Sequence, residues 1–172
     1  MGGDGDRKMG ILNLKINVDL KKAPDAAKME KQAAGVVGAT LTEMGLMMER
    51  AVKEETPLGA TKLLRGSIFS EPRGTPIREV LVSSTQIYAP IVERGRQPGK
   101  FPPIGPIELW VRRKLGVDPG KSKGVAFVIA RSIARKGTKG AAMFYKGFVR
   151  GRPTLERLAN KIGGTIVAEW ER

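Results

Sequence analysis

The feature that most constrains this chain is a single unbroken helical repeat. From Pro24-Asp25 onward, Met29, Ala33, Val36, Val37, Leu41, Met44, Met47, Met48, Ala51 and Val52 recur at steps of three and four residues, and the run closes near Glu55, before Thr56-Pro57. That is the period of one apolar stripe on an α-helix. Proline suits the first helical turn, and Asp25 suits the positive end of the helix dipole. Thirty residues at 1.5 Å each make a rod about 45 Å long. A chain of 172 residues is expected to form one domain. The helix should therefore cross all of it and reach beyond the local core at its ends. Met44, Met47 and Met48 either fill that core or form an adaptable docking surface.

Something must cover the stripe, and the neighbouring segments offer strands. Leu12-Asn13-Leu14-Lys15-Ile16-Asn17-Val18-Asp19-Leu20 alternates apolar and polar residues without a break, the period of a half-buried strand. Ser67–Glu71 and Ile77–Ser83 form a hairpin around Pro72-Arg73-Gly74-Thr75-Pro76. Residues 57–66 are expected to be a loop, and 87–93 extended or just turning into helix. The C-terminal half adds short helices. Pro106 opens one over 106–115, with Ile107, Trp110, Val111 and Leu115 on one face and Leu109, Arg112 and Arg113 on the other. Ser122 is read as the cap of a second, 123–136, and Pro153-Thr154 as the start of a third. In that last helix Leu155, Leu158, Ile162, Ile166 and Trp170 form the stripe, and Gly163-Gly164 marks a kink or the close approach of another backbone. The expected fold is α+β: an antiparallel sheet packed against a long N-terminal helix, with additional short helices in the C-terminal half. Residues 1–8 are expected to be a flexible arm, and 9–172 one domain carrying a basic loop-and-helix insertion at 94–140.

Several chemistries are closed to the chain. It has neither Cys nor His, which removes disulfides, thiol nucleophiles, Ser-His-Asp catalysis and the usual zinc and haem ligand sets. Gly120-Lys121-Ser122 looks like the tail of a phosphate-binding loop, but position 115, where the first glycine belongs, is Leu. Glu54-Glu55 are adjacent at a helix end, with no sign of a cleft. Tyr88 and Tyr145 lack an accompanying acidic cluster. We expect no enzyme, no cofactor and no metal. No apolar run approaches the roughly 18 residues that span a bilayer. The polar, glycine-rich start does not read as a secretory leader, so assembly in the cytosol is expected.

Charge is the positive signal. Lys and Arg number 31 against 17 Asp and Glu, a formal +14. Residues 1–90 carry 13 basic and 11 acidic side chains, whereas residues 91–172 carry 18 and 6. A field of that sign draws a polyanion or an acidic protein, unless it is only a solubilising surface. The candidates for the facing side chains are Arg94, Arg96, Lys100, Arg112, Arg113, Arg131, Arg135, Lys136 and Lys139. Gly137-Thr138-Lys139-Gly140 is either a simple turn or a loop that offers backbone amides to phosphate. Aromatic residues make up 5%, which is thin for a base-stacking platform. Residues 106–136 resemble a helix-turn-helix only loosely, because Ala126, Phe127 and Val128 stand where polar base-reading side chains would be needed.

Five segments in order then carry a family resemblance. Thr56-Pro57-Leu58-Gly59 followed by Leu63-Leu64-Arg65-Gly66-Ser67-Ile68 resembles the "TPVDTGRLRRSI" stretch of the tail-completion, or head–tail joining, proteins of long-tailed bacteriophages. Tyr88-Ala89-Pro90-Ile91-Val92-Glu93-Arg94-Gly95 is similar to their "YAPYVEFGT" segment. Residues 102–111 resemble the "PPIxPIxxWV" insertion of a subset, and residues 126–140 that subset's "AFxIARxIxxRGTKG". Phe144-Tyr145-Lys146-Gly147-Phe148 stands where the family has "FFRPAL". The likeness spans about 25–170. Leu58 and Ala60 replace the family's Val-Asp flanking, and Arg94 replaces a Phe.

The resemblance implies a structural virion protein of the neck, at the head–tail interface. It would form a ring with copies of itself, commonly sixfold, against head-closing, tail-terminator or tail-tube proteins, and packaged double-stranded DNA is a further, non-specific partner. Pro57, Leu58, Leu63, Leu64, Pro102, Pro103 and Leu109 are the expected subunit-interface residues. Within the same neck, a tail-terminator or head-closure role stays open. Outside it, the alternative is a free, non-specific nucleic-acid-binding protein.

Overall fold

The computed structural model describes residues 25–170, so the arm at 1–8 and the alternating segment at 12–20 lie outside the described residues. The long apolar repeat forms one helix, α1 (Ala26–Glu55). After it come α2 (Leu63–Gly66), β1 (Ile68–Arg73), β2 (Glu79–Ser84), α3 (Ala89–Arg94) and β3 (Gly95–Arg96). The chain continues with α4 (Ile104–Leu115), α5 (Pro119–Lys136), β4 (Thr138–Lys139) and α6 (Met143–Trp170). The fold is α+β, with α1 packed on the antiparallel β1–β2 hairpin and further helices C-terminal to it. The chain divides into two compact units. Of the described residues, one holds 25–52, 69–83 and 145–170, and the other holds 53–68 and 84–144.

In the first unit α1 is faced by the hairpin and by α6. The hairpin fits where α1 has no side chain: a Cβ at Gly38 would touch Ile77 at 3.5 Å, and one at Gly45 would overlap Val80. Glu49 ties the contact by accepting from the Ser70 backbone N–H (2.8 Å) and from its hydroxyl (2.9 Å). The turn is closed by Arg78 N–H donating to the Arg73 carbonyl, and its Thr75–Pro76 bond is cis. Helix α6 runs antiparallel to α1. Late in α6, Ile162 and Ile166 pack on Ala33, Val36 and Val37. Early in α6, Gly147 and Gly151 meet Val52 and Met48, and a methyl group at Gly147 would come within 2.8 Å of the Val52 Cα. Met44 is buried, while Met47 and Met48 are half-buried.

Two expectations about the last helix are corrected here. It begins ten residues before Pro153, which lies inside it. Proline mimics a start because it fits the first turn, but the buried stripe already runs through Met143, Gly147, Gly151 and Leu155, and burial of that stripe outweighs the lost N–H. Gly163 and Gly164 are exposed, with no atom within 4 Å of where their side chains would be, so no backbone approaches them.

The second unit is built from short pieces. Lys62 adopts φ 57°, a left-handed conformation, and turns the chain into α2. Residues 63–66 are thus a helical turn, not loop, and 87–93 resolve into α3. Helices α4 and α5 form an antiparallel pair across a three-residue link. Gly116 closes α4 at φ 65°, and Asp118 caps α5 by accepting from Gly120 N–H at 2.8 Å. Asp118, not Ser122, is therefore the cap. Ser122 is buried one turn inside α5 and donates to Glu108 of α4 at 2.8 Å. Helix α4 also starts earlier than expected, at Ile104, after the extended Pro102-Pro103. Val111 of α4 and Ala126 and Ala130 of α5 are all fully buried, and small side chains on α5 let helices come close.

Candidate functional site

The second unit holds every basic and subunit-interface candidate named from the sequence, and most of them fall on two distinct surfaces. The first is apolar. The chain leaving α1 passes Thr56, which is buried, and then exposes Pro57, Leu58 and Leu63. Together with Gly59, Thr61, Leu64, Tyr88, Val92 and Trp110 these residues line a depression of about 220 Å³. Arg113 on α4 holds the segment in place by donating to the Ala60 carbonyl at 3.3 Å. Leu58 is 44% exposed and Leu63 57%, so the rim is greasy as well as the floor. Leu64 and Pro102, by contrast, are buried: Leu64 forms part of the floor, and Pro102 packs within the unit. Pro103 is exposed at the start of α4, and Leu109 is half-buried beside Arg112 and Arg113 in a second, open hollow at the α4–α5 turn.

The second surface is basic, and a short ladder makes it. Strands β3 and β4 pair antiparallel, Gly95 with Lys139 and Arg96 with Thr138. This pairing joins the exit of α3 to the exit of α5, more than forty residues apart in the chain. It can form only because three glycines stand at the crossing. A Cβ at Gly95 would strike the Thr138 carbonyl, one at Gly137 the Arg96 carbonyl and one at Gly140 the Glu93 carbonyl. Gly95 and Gly137 also adopt φ of 86° and 70°, which L side chains avoid. Flanking bonds complete the clasp: Gly99 N–H to the Ala134 carbonyl (2.8 Å), Arg96 N–H to the Thr138 hydroxyl (3.2 Å) and Ala141 N–H to the Val92 carbonyl (2.8 Å). Beside it, Phe101 and Phe127 pack with their rings tilted by 38° and 5.4 Å between ring centres, a contact between the proline-rich loop and α5.

The ladder thereby gathers Arg94, Arg96, Lys100, Arg135, Lys136 and Lys139 around one crossing, with Arg131 one turn back on α5. All but Arg96, which is half-buried, are exposed. The Arg96 guanidinium donates to the Lys100 carbonyl. The nearby Glu93 carboxylate accepts from Phe144 N–H at 2.9 Å. Arg112 and Arg113 lie apart, at the end of α4. The unit carries fifteen Lys and Arg against five Asp and Glu, so most of the chain's excess charge is here. Part of that excess serves the fold. Arg94, Arg112 to Lys114, and Arg135 with Lys136 sit in the last turns of α3, α4 and α5, where cations offset the negative helix ends.

Sequence reasoning found both basic segments but not their pairing. The available signal was Arg94-Gly95-Arg96 and Lys136-Gly137-Thr138-Lys139-Gly140, two glycine-punctuated basic runs, each following a helix. Among the described residues no group of three acidic, His or Cys side chains is placed to hold a metal ion, and no helix is long and apolar enough to cross a membrane. Comparison with protein-family models, with curated proteins and with solved structures finds no match to this chain.

Proposed function

We propose that this chain is a structural neck protein of a long-tailed bacteriophage, joining the DNA-filled head to the tail as a subunit of an oligomeric ring. One observation carries the reading. Of the five segments that resemble the tail-completion family, four, 56–68, 88–95, 102–111 and 126–140, fall in the second unit, where they contribute to both the apolar depression and the basic ladder, while 144–148 falls almost wholly in the first. In this reading the depression, with Leu58, Leu63, Tyr88 and Trp110, receives a neighbouring subunit. The exposed cations of 94–100 and 131–139 face an anionic partner in the stack, and function is assembly, not turnover.

The test is a virus particle. Reversing Arg131, Arg135 and Lys136 to Glu changes three exposed residues, at a cost of about 1 kcal/mol for each of the two at the helix end. The variant should fold and yet reduce the yield of joined heads and tails, counted by electron microscopy. Joined particles at the normal yield would remove the basic segment from the joint.

A further inference from the structure

The proposed neck role leaves open what the basic surface touches, and the chemistry around the ladder favours one partner. A surface that docks protein needs an apolar anchor at its centre with charge at the rim. The ladder has the reverse. Its centre is glycine and threonine backbone (Gly95, Gly137, Thr138, Gly140), and its rim is cationic. Such a centre has no apolar side chain to bury, and it exposes the Thr138 hydroxyl, a group of the kind that contacts phosphate. The same unit already has an apolar depression suited to a protein.

Charge arithmetic points the same way. The C-terminal ends of α3 and α5 together present about −1 of partial charge, and Glu93 adds a carboxylate. Against them stand six cations: Arg94, Arg96, Lys100, Arg135, Lys136 and Lys139. Helix ends and Glu93 account for only a minority of these. None of the six pairs with a carboxylate among the described residues. The nearby Phe101 and Phe127 are occupied with each other, so the pair is not an open platform for base stacking.

We propose that the β3–β4 ladder grips the sugar–phosphate backbone of double-stranded DNA without reading its sequence. The inference deepens the neck reading but can fail separately from it, since it concerns the purified chain. The experiment measures anisotropy of the full chain with a labelled 30-base-pair duplex between 50 and 200 mM salt, using two unrelated sequences. Each phosphate contact contributes about −0.9 to the slope of log K against log salt. The triple variant Arg94→Gln, Lys136→Gln, Lys139→Gln should flatten the slope by about 2.7 for both duplexes. The control triple Lys31→Gln, Lys146→Gln, Lys161→Gln removes the same charge from exposed positions of the first unit and should leave the slope in place. Circular dichroism establishes that all three proteins are folded. The proposal is overturned if the wild-type chain does not bind duplex at 50 mM salt, or if both triples flatten the slope equally. Retention on immobilised polyglutamate without duplex binding would also overturn it and assign the ladder to an acidic protein. In each of these cases particle joining can still depend on the same unit.

Discussion

Gly137 shows how one residue can hold a surface together without taking part in its chemistry. Its φ of 70° and the Arg96 carbonyl standing where a Cβ would go leave no place for a methyl group. Gly137→Ala should cost about 3 kcal/mol, from backbone strain plus a contact that cannot relax because its partner is also backbone. Urea unfolding would measure it, and exchange protection of the Arg96 amide should fall with it. Lys62 is the opposite case, a side chain held at φ 57° where glycine is preferred, and Lys62→Gly should gain about 1 kcal/mol. At this scale the sequence was only partly legible. Gly137 was recognisable as a helix stop, but its second duty against β3 was not, because that depends on a strand more than forty residues away. Ser122 misled for a related reason. A serine before an apolar run is a good cap signal, but Asp118-Pro119 four residues earlier is a better one, and Ser122 is instead buried against Glu108.

Elements with one clear period were readable; those interrupted by proline or completed by distant partners were not. Helix α1 and the β1–β2 hairpin fall within a few residues of their expected bounds, since the periods of 3.6 and 2 are strong over those runs. Helix α6 was read ten residues short because Pro153 looks like a beginning. The overlooked signal was Gly147 and Gly151 four apart, followed by Leu155, a stripe that continues straight through the proline. The glycines of α6 also divide by role. Gly147 lies against the Val52 backbone, so Gly147→Ala should cost about 1 to 3 kcal/mol by overpacking. Gly163 and Gly164 face open space, so Gly163→Ala with Gly164→Ala should gain about 1 kcal/mol each by helix propensity. Thermal melts of the two variants should therefore move in opposite directions. A shared direction would contradict the packing described for α6.

For the whole molecule, the uneven charge was visible along the chain, and its concentration in 91–172 foreshadowed the basic unit. What the linear order hid is the interleaving: the first unit takes its residues from three separate stretches and the second from two. No composition shift marks such a division, because each cut falls inside a helix or a strand. The neck proposal makes its prediction at this scale. Leu58→Asp with Leu63→Asp puts charge on two exposed leucines at the rim of the depression, where neither supports the core. Light scattering on the purified protein should show an oligomer for the wild type and a smaller species for the variant, with unfolding midpoints that agree within error. A wild-type chain that stays monomeric at all concentrations, with no partner-induced assembly, would remove the ring from the proposal.

The seating of the hairpin on α1 has a consequence for insertions and deletions. Gly38 and Gly45 are seven residues apart, about 10.5 Å along a helix, and they receive Ile77 of the hairpin turn and Val80 of β2. Adding or removing a single residue between the notches would swing the second one about 100° around the rod. Length in that stretch should therefore be inviolable even where side-chain identity is free to drift.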